Sequence, residues 1–103
     1  MYKLCFYVPE SHLELVKQAI LSTGAGHIGN YANCCWQVLG EGQFKPLVGS
    51  TPFIGQTNEL EYVAEWRVEL VVTDELITQA VTVLKATHPY ETPAYDVVKL
   101  APY

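Results

Sequence analysis

His88-Pro89-Tyr90-Glu91-Thr92-Pro93 is the stretch whose residue types and spacing could do chemistry. It sets an imidazole, a phenol and a carboxylate among two prolines. Each proline fixes its own φ and pushes its predecessor, His88 or Thr92, out of the helical region. The segment therefore reads as a stiff, extended connector that holds its functional groups in a reproducible arrangement, suited to a binding site or a rigid subunit contact. A neutral imidazole and a carboxylate both ligate divalent metals, so His27, His88 and Glu91 form one candidate metal set. The competing reading is structural: His88 caps the free carbonyls of a preceding helix and Glu91 makes a hydrogen bond.

Gly24-Ala25-Gly26-His27-Ile28-Gly29 spells G-x-G-x-x-G. A dinucleotide fingerprint needs a strand just before it and a helix just after, so that pyrophosphate meets a helix amino terminus. Here a helical pattern precedes and a strand-like run follows, so that reading is rejected. The glycines instead allow positive φ and close approach to another segment, with a small-anion nest of backbone N–H groups as the alternative. No nucleophile with a base and no pair of acids stands out, so no catalytic residue is assigned. Cys5, within an apolar run, reads as an inert buried thiol with no cation in sight. Cys34 and Cys35, on successive strand positions, would point to opposite faces and could not chelate one ion. His12 reads as a solvated surface residue.

The elements that must position these groups follow from periodicity. Lys3 to Val8 is a short apolar strand closed by Pro9. Ser11-x-x-Glu14 has capping-box spacing, and Leu13, Val16, Ala19 and Ile20 make one stripe, which predicts a helix over 11–23 stopped by Gly24. A second strand is expected over 34–39. Residues 40–58 carry four glycines and two prolines and break any regular pattern. From Leu60 to Val72 a period of two gives one dry face and one bearing Glu65, Arg67 and Glu69. Thr73 or Asp74 caps a second helix over 75–87, and Ala94 to Leu100 supply the last strand. The β-α-β-β-α-β order predicts an α+β, ferredoxin-like sandwich in which both helices cover one face of a four-stranded antiparallel sheet. The other face, mixed in character, suits closure by a second subunit. The loop over 40–58 is long for a hairpin, and its Phe44, Leu47, Phe53 and Ile54 suggest that it packs on a ligand or neighbouring subunit.

The 103 residues, half of them apolar, fit one domain over 1–103 with one core. A net charge of −5 with only six lysines and arginines argues against a phosphate-tracking nucleic-acid binder. No apolar run approaches the roughly 20 residues that cross a bilayer, and the amino end lacks signal-peptide features. Three cysteines, two of them adjacent, point to free thiols in a reducing, cytoplasmic compartment.

Several blocks together resemble a known unit. They are Gly24-Ala25-Gly26-His27-Ile28-Gly29-Asn30-Tyr31, Cys34, Gly42-x-Phe44-x-Pro46-x-x-Gly49-Ser50-x-Pro52-x-Ile54-Gly55, Glu65-x-Arg67-x-Glu69 and His88-Pro89-Tyr90-Glu91-x-Pro93-Ala94-Tyr95-Asp96. Over nearly the whole chain they resemble the PII-like domain inserted in YqfO-type, Nif3-like dinuclear-metal proteins. The His-Pro-Tyr-Glu-x-Pro motif is also similar to a segment of the CutA divalent-cation-tolerance family. The resemblance implies a PII/CutA-like fold, homo-oligomers with trimer favoured over dimer, and ligand or partner binding through the long loop and subunit clefts. The chain is expected to be a stand-alone module without the flanking metal-bearing domains, so no hydrolase or cyclohydrolase role is carried over.

The expected function is that of a non-catalytic, oligomeric module binding a small ligand or protein partner. Its candidate ligand residues are Gly24, Gly26, His27, Gly29, Tyr31 and Tyr90. A divalent-metal site at His27, His88 and Glu91 is the alternative, and hydrolysis of a nucleotide or phosphate ester is a third reading. No cofactor is assigned beyond a possible divalent ion.

Overall fold

The computed structural model describes residues 1–103. Four strands and two helices alternate as β1 (Tyr2–Pro9), α1 (Leu13–Leu21), β2 (Trp36–Phe44), β3 (Glu61–Val72), α2 (Ile77–Thr87) and β4 (Tyr95–Lys99). The strands form one sheet in the order β2-β3-β1-β4, and every neighbouring pair is antiparallel. This is the ferredoxin-like arrangement that the sequence predicts.

One face of the sheet is dry. Leu4, Phe6 and Val8 of β1 and Val68, Leu70 and Val72 of β3 are buried with Leu13, Val16, Ile20 and Leu21 of α1 and Ala80 and Leu84 of α2. Both helices share this cluster, so both cover the same face. The other face carries Glu65, Arg67 and Glu69 beside Trp36, Val38 and Val98, which are 58%, 42% and 54% exposed.

Several boundaries differ from expectation for identifiable reasons. Residues 10–12 form a tight 3-10 turn before α1, so Ser11 lies inside a turn and not at the cap. Its Oγ pairs with His12 Nδ1, and Glu14 accepts from Lys17 Nζ at 2.8 Å, so the capping box does not form. Neither Thr73 nor Asp74 caps α2 with its side chain. The Thr73 carbonyl accepts from the amides of Leu76 and Ile77, while Asp74 pairs with the terminal ammonium. Cys34 and Cys35 precede β2 instead of opening it, and all three cysteines are free. Cys5 is buried as expected, but Arg67 lies beside it, a cation that the sequence did not reveal.

The largest departure is in β2, which runs straight through Gly40-Glu41-Gly42 to Phe44. At Gly42 an added Cβ would stand 1.6 Å from Glu65 Oε1, so this glycine makes room for a carboxylate and does not break the strand. β3 outruns β1, whose last pair is Pro9 with Glu65. Beyond it, residues 61–64 pair only with β2, in a two-stranded ribbon. Its would-be dry residues Leu60 and Tyr62 consequently stay 47% and 57% exposed. At the far edge, β4 lies against β1, and the Leu100 amide donates to the Met1 carbonyl at 3.0 Å.

Candidate functional site

The 45–60 loop does not trail into solvent. The Asn58 amide donates back to the Pro46 carbonyl at 2.6 Å, closing the loop on itself. The whole then folds onto the proline-bracketed segment. Phe53 meets the edge of His12 at 5.3 Å between ring centroids and approaches Tyr90 at 6.3 Å. Phe44 approaches Tyr90 from another side at 6.1 Å. The Thr51 amide donates to Glu91 Oε1 at 2.8 Å. His12 is thus a clasp for the loop and not a solvated bystander. Between loop, ribbon and segment lies a cavity of about 260 Å³, walled by Phe44, Phe53, Ile54, Tyr90, Glu65 and Glu91 among others.

The segment is anchored by His88, only 7% exposed. Its Nδ1 accepts from the Tyr90 amide at 3.1 Å, which leaves the ring proton on Nε2 to be donated to the Tyr7 carbonyl at 2.7 Å. A neutral imidazole with its proton on Nε2 satisfies both partners. Burial holds the His88 pKa below the ordinary histidine value, with the Tyr7 carbonyl opposing the shift. His88 is also the residue after α2, where its amide donates to Leu84 at 2.9 Å. The imidazole thereby ties the end of α2 to the end of β1 and fixes where Tyr90 points.

Tyr90 and Glu65 form the polar heart of the cavity. The phenol oxygen is close enough to the Glu65 carboxyl to feel its charge, yet the geometry falls short of a hydrogen bond. It is buried without any partner. Burial, then the Glu65 charge, push the phenol up to about 12. Burial likewise raises Glu65 above the usual carboxylate value, the nearby phenol opposing. The chain's three ion pairs lie elsewhere, so neither Glu65 nor Glu91 has a cationic partner. No lysine or arginine lines the cavity.

No family model matches the sequence. The "GTP cyclohydrolase 1 type 2 homolog" of Halalkalibacterium halodurans is 45% identical over 101 residues, covering 98% of this chain and 27% of that protein. The relative of that name in Bacillus subtilis is 44% identical over 95 residues, covering 92% and 26%. A crystal structure of a Bacillus cereus protein related to NIF3 superposes with a TM-score of 0.83 at 37% identity, over 98% of this chain and 26% of that one. CutA of Archaeoglobus fulgidus, a periplasmic divalent cation tolerance protein, gives 0.70 at 15% identity over 100% and 87%, and so shares the fold. The chain has the PII/CutA-like fold and matches one segment of the NIF3-related proteins over nearly its whole length. It spans about a quarter of the length of the curated relatives that it matches.

Within the PII/CutA-like domain, the predicted site residues separate into two groups. Tyr90 and Glu91 line the cavity, with His88 directly behind them. Gly24, Gly26, His27, Gly29 and Tyr31 lie at the other end of the sheet. The Gly26 amide bonds to the Val71 carbonyl, beside Lys3, whereas His88 bonds to Tyr7. Lys3 and Tyr7 are four steps apart along the strand, about 13 Å. The glycine loop nevertheless has its own form. Ile28 and Tyr31 exchange backbone hydrogen bonds across a tight turn and stand 56% and 73% exposed, while His27 Nδ1 pairs with the Gly24 carbonyl at 2.8 Å.

His27 therefore does not meet His88 and Glu91 within one domain. Both His88 nitrogens are engaged, and no three His, Cys, Asp or Glu side chains converge as a metal group. Sequence reasoning singled out the apolar loop residues but missed Glu65 as a cavity residue. The signal was the glycine at position 42, which becomes legible only once the β2–β3 register is known.

Proposed function

We propose that this chain is a non-catalytic, oligomeric module, one domain over 1–103, which binds a small ligand or a protein partner. Its ligand site is the cavity beneath the 45–60 loop. The observation that carries this reading is the loop itself: its apolar residues close a walled space over Tyr90 instead of filling the core. The exposed Trp36, Val38 and Val98 on the uncovered sheet face support association, and the likeness to the PII/CutA-like fold favours a trimer over a dimer. Three free cysteines fit a reducing, cytoplasmic setting.

Sedimentation velocity at micromolar concentration tests the assembly: an oligomer is expected, and Trp36→Glu should shift it towards monomer by placing a charge on the apolar patch. A monomeric wild type would sink this half of the reading.

A second reading, divalent-cation binding through His27, His88 and Glu91, draws on the name carried by the CutA structures. The separation of His27 from His88 means that such a site must be completed by another chain. Calorimetry with copper, zinc, nickel and manganese separates the two readings; binding lost in a His27→Ala, His88→Ala double variant that keeps its oligomeric state would establish the metal site. The cyclohydrolase activity in the relatives' name is not proposed for this chain. Two carboxylates and no lysine or arginine face the cavity, an arrangement that repels a triphosphate.

A further inference from the structure

We infer that the cavity beneath the 45–60 loop is built for a small primary ammonium ion, held by Glu65 and Tyr90 and walled by Phe44 and Phe53. The inference rests on the ligand-site reading and specifies the ligand's chemistry. Three observations converge on it. The first is the aromatic wall. Phe44 and Phe53 stand 6.1 and 6.3 Å from Tyr90, tilted by 47° and 48°, so the three rings form facets around the space instead of stacking. Ring faces attract cations within about 6 Å of their centroids.

The second observation is charge. Glu65 and Glu91 both line the cavity, neither is ion-paired, and no basic side chain joins them. One Glu91 oxygen is already held by the Thr51 amide, whereas neither Glu65 oxygen has such a backbone donor, so Glu65 is the less committed anionic contact. A carboxylate in a largely apolar recess gains most from a cation brought by a ligand.

The third is the orphaned Tyr90 hydroxyl. An ammonium N–H can donate to the phenol oxygen while another donates to Glu65, and the phenol O–H is left free to turn to the carboxylate. A quaternary ammonium has no N–H and would give the phenol oxygen no donor. A metal ion would find one free carboxylate where three or four ligands are needed. The volume, about 260 Å³, lies below the roughly 300–1,000 Å³ of sites for drug-sized ligands, and Pro46, Pro52 and Ile54 suit a short alkyl chain.

A free alkylamine and a lysine side chain of another protein share this chemistry, and the test separates them. The whole chain, labelled with ¹⁵N, is titrated with n-butylammonium, Nα-acetyl-lysine methylamide, n-butanol and butyrate at constant ionic strength. Both ammonium probes are expected to shift the amides of Phe44, Phe53 and Tyr90 and to bind at least about tenfold more tightly than the neutral or anionic probes. Tighter binding of the lysine derivative would identify a protein side chain as the source, and tighter binding of butylammonium a free amine. Glu65→Gln keeps the shape of the side chain and should weaken ammonium binding about tenfold or more. Phe53→Ala, on the exposed loop, gives a second reading of the same cage and should weaken it about fivefold. Butanol or butyrate binding as tightly at these amides would overturn the ammonium inference and leave a ligand site standing. Silence from all four probes at these residues would overturn both.

Discussion

Replacing Gly26 with alanine is expected to destabilise the fold by about 3–5 kcal/mol, against roughly 1 kcal/mol for the same change at Gly29. Both glycines have positive φ, +80° and +58°, so both substitutions incur the left-handed penalty. They differ in what surrounds them. A Cβ on Gly26 would meet the Cys34 carbonyl oxygen at 2.7 Å and Leu21 Cδ2 at 2.8 Å, whereas one on Gly29 meets nothing within 4 Å. The contact at Gly26 is with backbone, and that backbone is fixed. The Gly26 amide donates to Val71 at 2.9 Å and its carbonyl accepts from Cys34 at 2.8 Å, so the loop cannot recede without breaking one of these bonds. Chemical denaturation of the two variants checks the difference. Equal losses would mean that the loop yields, and that its path over β3 is less rigid than its hydrogen bonds imply.

His88→Ala should cost about 2–4 kcal/mol, because it removes two hydrogen bonds and leaves the Tyr7 carbonyl unpaired in a part-buried place. The same residue sets a pH dependence with a definite sign. Its folded pKa lies below the ordinary value of about 6.5, so the unfolded chain takes up the proton first as pH falls. The His88 contribution is therefore complete above about pH 6.5 and is lost as pH drops through the depressed folded value. Protonation would also set an Nδ1–H against the Tyr90 amide, which now donates to that nitrogen. Thermal unfolding of wild type and His88→Gln between neutral pH and pH 5 isolates the effect. The wild type should lose stability more steeply, and parallel curves would refute the role assigned to the imidazole.

The architecture was legible because its signals are local. β3 shows its alternation over a dozen residues, and Ala80 and Leu84 mark the buried stripe of α2 at helical spacing. The missed details depend on partners distant in sequence. Ser11 and Glu14 have the spacing of a capping box, but the 3-10 turn that precedes α1 moves the cap position to His12. Gly40 and Gly42 look like strand breakers until Glu65 is seen across the ladder. The candidate site divided for the same reason. Tyr90 and Glu91 stand out in the sequence because prolines and functional groups crowd one short segment. His27 was grouped with His88 because shared chemistry says nothing of the sheet length between them.

The adjacency of β1 and β4 has a consequence for how such a unit travels. The first and last strands lie about 5 Å apart, and the Met1 carbonyl is bridged to the Leu100 amide. A polypeptide thus enters and departs through one doorway at the sheet's edge. Splicing this unit into a host therefore asks only that a pair of neighbouring points in the host backbone move slightly apart, a small perturbation for a surface turn. Relatives in which the matching segment makes up roughly a quarter of a much longer polypeptide are compatible with that geometry.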